Sequence, residues 1–299
     1  MMAHNRKETQ DVFNDNASDL VDVATEKQIQ NRQILGFVHI PKTAGSTVKF
    51  ILRNSTYLRH CDLQPLVRHG IFTDDDFKFL KKIFFFGVRS ISGHSLKCPT
   101  LHLSAPVQYF TFVRDPLQRS LSHYQQIKRN LRRNGGDITF EAYMQKKGAA
   151  DQQVRRIAGE PDLEKAKHEL SQRYLFVGLT ERFAESMLVL QRLSPYPLKL
   201  EFTRRHVTMD NTAKQDVLAN PETLQILKEC NQLDLQLYAY VRDELYPELR
   251  RKAGLSAVGE VDEKRFLETS YPLCYKLTRG YNMFAYRSLS KLRRWFAGM

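Results

Sequence analysis

The sequence predicts an α/β protein: a mostly parallel sheet flanked by helices. Three observations predict it. Short apolar runs, suited to strands buried on both faces, recur at residues 34–40, 83–88, 108–113 and 174–179. Segments with helical spacing of apolar residues follow several of these runs. The turns between them carry small or helix-capping residues, as in Pro41 to Thr47 and Arg114-Asp115-Pro116. Strands that alternate with helices build parallel sheets through crossover connections.

The chain has 299 residues, enough for one large domain with a real core. Apolar residues make up 42% and charged residues 26%, which excludes a mainly disordered or collagenous chain. No apolar run approaches the about 20 residues that span a bilayer. Residues 1–33 read as a flexible arm. It carries six acids (Glu8, Asp11, Asp15, Asp19, Asp22, Glu26) and no apolar segment of the kind a signal peptide needs. The four cysteines, Cys61, Cys98, Cys230 and Cys274, stand far apart and form no CxxC pair. They read as buried thiols in a reducing compartment, not as a metal or redox site.

The first strand, 34–40, ends in Pro41-Lys42-Thr43-Ala44-Gly45-Ser46-Thr47, and a helix with Val48, Ile51 and Leu52 on one face follows. In doubly wound sheets, ligands bind beyond the carboxyl ends of strands. Small residues keep this loop's backbone open, Lys42 adds a charge, and the helix start adds unpaired amides, which together suit a phosphate. The loop is not a Walker A sequence, which places its lysine directly before Ser/Thr. Residues 58–82 read as loops that shape a substrate site. The strand at 83–88 comes next, then the strand at 108–113, which ends at Arg114. Asp115 and Pro116 start a helix there, with Leu117, Leu121 and Tyr124 on one face. Ser122 lies eight residues after Arg114 and shares a helix face with Arg119. An arginine fork with a hydroxyl makes a second phosphate clamp. After the strand at 174–179, Thr180 caps a helix that runs to about residue 193, and one long helical stretch covers 221–249.

The surplus of 46 Lys+Arg over 33 Asp+Glu gives a formal net charge of +13 and implies an anionic partner. Residues 116–136 hold five bases and no acid, and residues 271–299 hold six bases and no acid. The clusters lack interleaved aromatics, so no nucleic acid is expected. In the tail, Ala285, Leu289, Leu292 and Phe296 form an apolar stripe beside Arg287, Lys291 and Arg294. Such a helix packs its stripe on the domain or lies on an anionic membrane through residues 281–297.

The phrases FVHIPKTAGST and FVRDPLQRSLSHY, in this order and spacing, resemble the two nucleotide-binding motifs of sulfotransferases that use 3′-phosphoadenosine 5′-phosphosulfate (PAPS). FVGLTERFAESMLVL and CNQLDLQLYAYVRDEL are similar to two further segments of that family. The chain looks most like the carbohydrate branch, which includes heparan sulfate 2-O-sulfotransferases. The resemblance implies a P-loop-like sulfotransferase domain over 34–252, followed by a basic helical extension over 253–299. It implies that Lys42 contacts the 5′-phosphosulfate and stabilises the leaving phosphate, with Thr43, Ala44, Gly45, Ser46 and Thr47 around it. Arg114 and Ser122 hold the 3′-phosphate, and Arg204, Arg205 and Lys214 fall where the branch has a nucleotide-covering loop. His94 takes the place of the catalytic base, with His102 as the alternative. A second histidine that the branch can show two residues earlier is Ser92 here, which leaves a supporting role unfilled. The resemblance thus implies PAPS-dependent transfer to a hydroxyl of a carbohydrate or glycolipid without a metal. With no anchor in the sequence, the expected location is cytoplasmic, peripheral at a membrane if the tail binds one. The alternatives are a nucleotide-dependent phosphotransferase and a non-enzymatic basic binder of membrane or nucleic acid.

Overall fold

A computed structural model describes residues 33–67, 70–84, 87–96, 103–146, 148–201, 212–255 and 272–298. The N-terminal arm to residue 32, His102, Arg204 and Arg205 lie outside them. The five strands are β1 (Ile34–Val38), β2 (His60–Asp62), β3 (Ser90–Gly93), β4 (Val107–Val113) and β5 (Tyr174–Leu179). They form one all-parallel sheet in the order β2-β3-β1-β4-β5. The chain leaves β1 toward β2 and β3, then crosses to β4 and β5 on the other side. Strand order therefore switches between β1 and β4, where the carboxyl ends open a crevice.

Around the sheet stand α1 (Gly45–Thr56), α2 (Asp74–Ile83), α3 (Pro116–Arg132), α4 (Phe140–Met144), α5 (Gln152–Ala158), α6 (Leu163–Arg173) and α7 (Phe183–Leu193). Next come α8 (Thr212–Ala219), α9 (Pro221–Glu229), α10 (Gln232–Tyr240) and α11 (Tyr246–Lys252). The C-terminal pair is α12 (Leu273–Gly280) and α13 (Arg287–Phe296), joined by the π turn Tyr281–Tyr286. Every residue of β1 is buried, as a central parallel strand requires. Phe37, Phe110, Phe112 and Phe176 lie in the main core with no solvent exposure. Each such side chain contributes about 1.5–3 kcal/mol of burial.

Four expectations need correction. The apolar run expected as a strand at 83–88 is none at its described residues: Ile83 ends α2, and the strand lies further on at Ser90–Gly93. Residues 58–82 are not merely loops, because they contain β2 and α2. Thr73 starts α2 with a capping box closed by Asp76. Thr180 caps no helix; its hydroxyl donates to the Val113 carbonyl at 2.9 Å and ties the ends of β5 and β4 together. The stretch 221–249 is broken at Cys230-Asn231, where Asn231 turns its amide onto the Leu227 carbonyl. It is broken again by a π turn at Val241–Leu245 ahead of Pro247, a residue without an amide to donate.

The C-terminal helices use an unexpected face. Asn282, Tyr286, Ser290 and Arg293 turn inward, while Leu289 and Leu292 are about half exposed and Phe296 more so. The apolar stripe therefore stays outside, and polar bonds hold the helix. Asn282 accepts from the Asp62 amide at 2.7 Å and donates to the His60 carbonyl at 2.9 Å. It thereby pairs the open edge of β2, as a neighbouring strand would. The Tyr286 hydroxyl accepts from the Gln64 amide at 3.2 Å, and Arg293 meets Asp76 at 2.8 Å. No helix among the described residues is long and apolar enough to cross a membrane. Asn282→Ala would leave two backbone groups of β2 unpaired. It is expected to lower stability by about 1–3 kcal/mol in urea unfolding, with no loss expected for Leu292→Ser on the exposed stripe.

Candidate active site

Two clefts open at the carboxyl ends of the strands, and His94 lines both. The first has a volume of about 950 Å³ and lies over the switch point between β1 and β4. Its floor is the loop after β1. Lys42 and Ala44 both take left-handed backbone there, at φ 72° and 58°. For residues with a Cβ this costs about 1–2 kcal/mol each. The cost maintains a turn whose amides converge on one point, the geometry of an anion cradle. No side chain caps α1 and no acid stands in its first turn, so its positive end faces the cleft. Gly45 is required by a close approach: a Cβ there would lie 1.8 Å from Nε2 of His39.

Lys42, Ala44, Gly45, Ser46 and Thr47 line this cleft, as do Arg114 and Ser122. The two motifs are thus brought to one crevice, and the Arg114 guanidinium donates to the carbonyl of Lys42, 72 residues earlier, at 3.2 Å. Thr43 turns away. It is fully buried and its hydroxyl donates to the Ile40 carbonyl at 3.0 Å, which leaves only its backbone for a ligand. Lys214 does not line the cleft; its ammonium donates to Gln118 on α3. Arg119 does not join Ser122 at the ligand face, since it is wholly buried beneath it. Sequence reasoning did not single out Arg129 and Arg133 individually for this site, yet both line the cleft from α3 and the turn after it. Among the described residues, no carboxylate lines it. Burial, then the charges of Arg114 and Arg129, lower the pKa of Lys42. The described lining makes the cleft a cationic bowl.

Arg114 is held from below. Its amide donates to Gln153 Oε1 at 3.0 Å, and Gln153 Nε2 donates back to its carbonyl at 2.9 Å. The Gln153 and Val154 amides at the start of α5 donate to the two oxygens of Asp234 at 3.0 and 2.8 Å. Asp151 returns the favour by accepting from the amides of Leu233 and Asp234 at the start of α10. Arg119 Nε lies 4.0 Å from Asp234, and its other nitrogens donate to Gln152 and Ser120.

His94 sits just past the end of β3. Its Nδ1 lies 2.9 Å from the His39 carbonyl. A carbonyl only accepts, so Nδ1 carries the proton and Nε2 keeps a bare lone pair. The His39 ring stacks on His94 at 4.0 Å between centroids. His39 thus supports the His94 ring with its carbonyl and its stacked imidazole. Ser92 instead donates to Asp62 at 3.1 Å and bonds His60. Burial, followed by Lys49, lowers the pKa of His94 to about 4, and Arg156 adds to the effect. The Arg156 guanidinium donates to the His94 carbonyl at 2.6 Å. Lys49 and Arg156 are neighbours of His94 that sequence reasoning missed. Lys49 stood one helical turn after Gly45 and could have been found; nothing local marks Arg156. His123 also lines the first cleft, with Nδ1 2.8 Å from the Tyr143 hydroxyl and its pKa brought to about 4, chiefly by burial. Among the described residues, no group of three His, Cys, Asp or Glu could hold a metal ion.

Residues 27–241 match the model of the sulfotransferase family. The chain belongs to that family. Two curated relatives, uronyl 2-sulfotransferases from Mus musculus and Homo sapiens, are each 31% identical over 109 residues. The match covers 34% of this chain and 26% of each relative, so the chain spans about a quarter of their length. The cleft-lining Arg114 depends on one buried carboxylate, Asp234. Asp234→Ala would strand Arg119 and two helix-start amides, and should cost about 3–5 kcal/mol of stability by chemical denaturation.

Proposed function

We propose that the protein transfers a sulfuryl group from PAPS to a hydroxyl of a carbohydrate, with His94 as general base. The observation that carries this reading is the bare Nε2 of His94 at the junction of two clefts, one of them a cationic bowl at the switch point. The bowl suits a nucleotide with phosphates at both ends. The loop amides and Lys42 receive the 5′-phosphosulfate, and Arg114 with Ser122 receives the 3′-phosphate. An acceptor hydroxyl entering from the other side of His94 attacks sulfur in line with the bond to the phosphate oxygen. The new O–S bond forms as the S–O bond to phosphate breaks, and the hydroxyl proton passes to His94 Nε2. Lys42 and the loop amides stabilise the charge that builds on the departing phosphate, as in phosphoryl transfer.

His94 must be neutral to act. Its pKa of about 4 in the free protein keeps it so at physiological pH. An anionic nucleotide in the first cleft, which His94 also lines, raises the basicity of the ring toward the operating pH. The relatives are named as uronyl 2-sulfotransferases, which favours a sugar hydroxyl as acceptor. The loop lacks the Walker lysine, which disfavours a phosphotransferase.

Calorimetric titration with adenosine 3′,5′-bisphosphate tests the donor. Wild type should bind it, and Arg114→Ala should weaken binding about 10- to 100-fold. No binding by the folded wild type overturns the reading. His94→Ala should leave that affinity intact while lowering kcat by about 10²–10⁴. In wild type, kcat/KM should fall below about pH 4 as the imidazolium forms and stay level above it.

A further inference from the structure

The second cleft, of about 920 Å³, lies on the far side of His94 from the first. Among the described residues, Lys49, Arg156, Arg287, Lys291 and Arg294 line it with a single carboxylate, Asp62. That carboxylate is taken: Arg53 pairs with it directly, Lys49 lies at 3.8 Å and His60 at 3.5 Å. Among the described residues, Arg287 and Lys291 have no acidic partner. Arg294 spends one nitrogen on the Pro65 carbonyl and Arg156 one on the His94 carbonyl, and a guanidinium has five N–H donors. On α13, residues 287, 291, 294 and 295 follow helical spacing, so three cations and Trp295 share one face. Bonds to the edge of β2 and to Gln64 hold that face toward the cleft. These residues lie beyond the stretch 27–241 that matches the family model.

We propose that this cleft is the acceptor site and that α13 selects an acidic sugar. Arg287, Lys291 and Arg294 hold a carboxylate or sulfate ester already on the acceptor, and the Trp295 indole lies against the apolar face of one of its rings. This proposal rests on the sulfotransferase reading and adds residues and a substrate charge to it. The acidic group docks against α13, which presents a neighbouring hydroxyl to His94 Nε2. Arginine suits this task because its planar fork matches the two oxygens of a carboxylate or sulfate. A large amphipathic aromatic supplies contact area to the C–H face of a sugar at little entropic cost.

Trp295 is the single tryptophan of the chain, so intrinsic tryptophan emission reports from this cleft alone. The full-length protein, saturated with adenosine 3′,5′-bisphosphate to occupy the first cleft, is titrated with an unsulfated chondroitin hexasaccharide, which carries carboxylates only. The same hexasaccharide with its carboxyls reduced to alcohols is the neutral probe, and a carboxyl-reduced, sulfated form is the sulfate probe. At least one anionic probe should change the emission saturably and bind about tenfold or more tightly than the neutral one. Arg287→Ser with Lys291→Ser should lose that preference, while Arg251→Ser, on exposed α11, should keep it. Equal binding of neutral and anionic probes, no saturable change, or an unaltered preference in the double variant overturns the proposal. A failure here with intact bisphosphate binding leaves the donor reading standing; loss of bisphosphate binding removes that reading itself. Circular dichroism of the double variant, whose substituted side chains face solvent in the cleft, separates a lost site from a lost fold.

Discussion

The first cleft of this protein depends on a carboxylate that never meets water. Asp234 is fully buried, and four groups need it: two amides at the start of α5, the Arg119 guanidinium and, through Gln153, the backbone of Arg114. Burial raises its pKa to about 6, against the partial offset of Arg119 and the amides. A raised carboxylate pKa means that stability from this group is greatest below the unfolded value near 4 and declines as pH rises through 6. The protein bears that cost because helix-start amides left unpaired in the interior would cost more. The result is an arginine whose backbone is clamped on both sides before any ligand arrives. Such preorganisation lets charge stabilisation act without rearrangement at the moment of reaction.

Cations line the clefts on both sides of His94, yet the imidazole itself is uncharged. Burial, then the charges of Lys49 and Arg156, make a positive charge unfavourable there. A site rich in cations thus holds a ring that is free to accept a proton. The His39 carbonyl then decides which nitrogen is bare. Backbone geometry at the end of β1 thereby controls both the anion cradle and the tautomer of the base.

The parts that hydropathy reads well are those in which burial and apolarity coincide. β1, β4 and β5 fall within two residues of their expected bounds, since each is a parallel strand enclosed on both faces. The two motif loops were equally legible, because their chemistry depends on residue types at close spacing. β3 was not. Its sequence is Ser90-Ile91-Ser92-Gly93, and its hydroxyls face inward to bond His60, Thr56 and Asp62. A strand that satisfies polar side chains internally carries no hydropathy signal. The tail shows the reverse failure: its apolar stripe suggests a buried face, but Asn282 and Tyr286 decide the orientation by bonding backbone more than two hundred residues away. Long-range pairing of this kind has no local signature, and neither does Arg156 beside His94. The capping box Thr73 to Asp76 was present to be read and marks α2 clearly.

The closing of β2 by Asn282 also sets a timetable. The two bonded residues, Asp62 and Asn282, are 220 positions apart in the chain. At about 5–20 residues per second of synthesis, the ribosome takes roughly 10–40 s to travel between them. Once β3 and β4 have emerged, they can pair with β1 while the outer edge of β2 still has no cover. An uncovered parallel edge is a template for a neighbouring nascent chain. The last helices to emerge are therefore the ones that end this vulnerability, and the yield of soluble protein in the cell is tied to how promptly they dock.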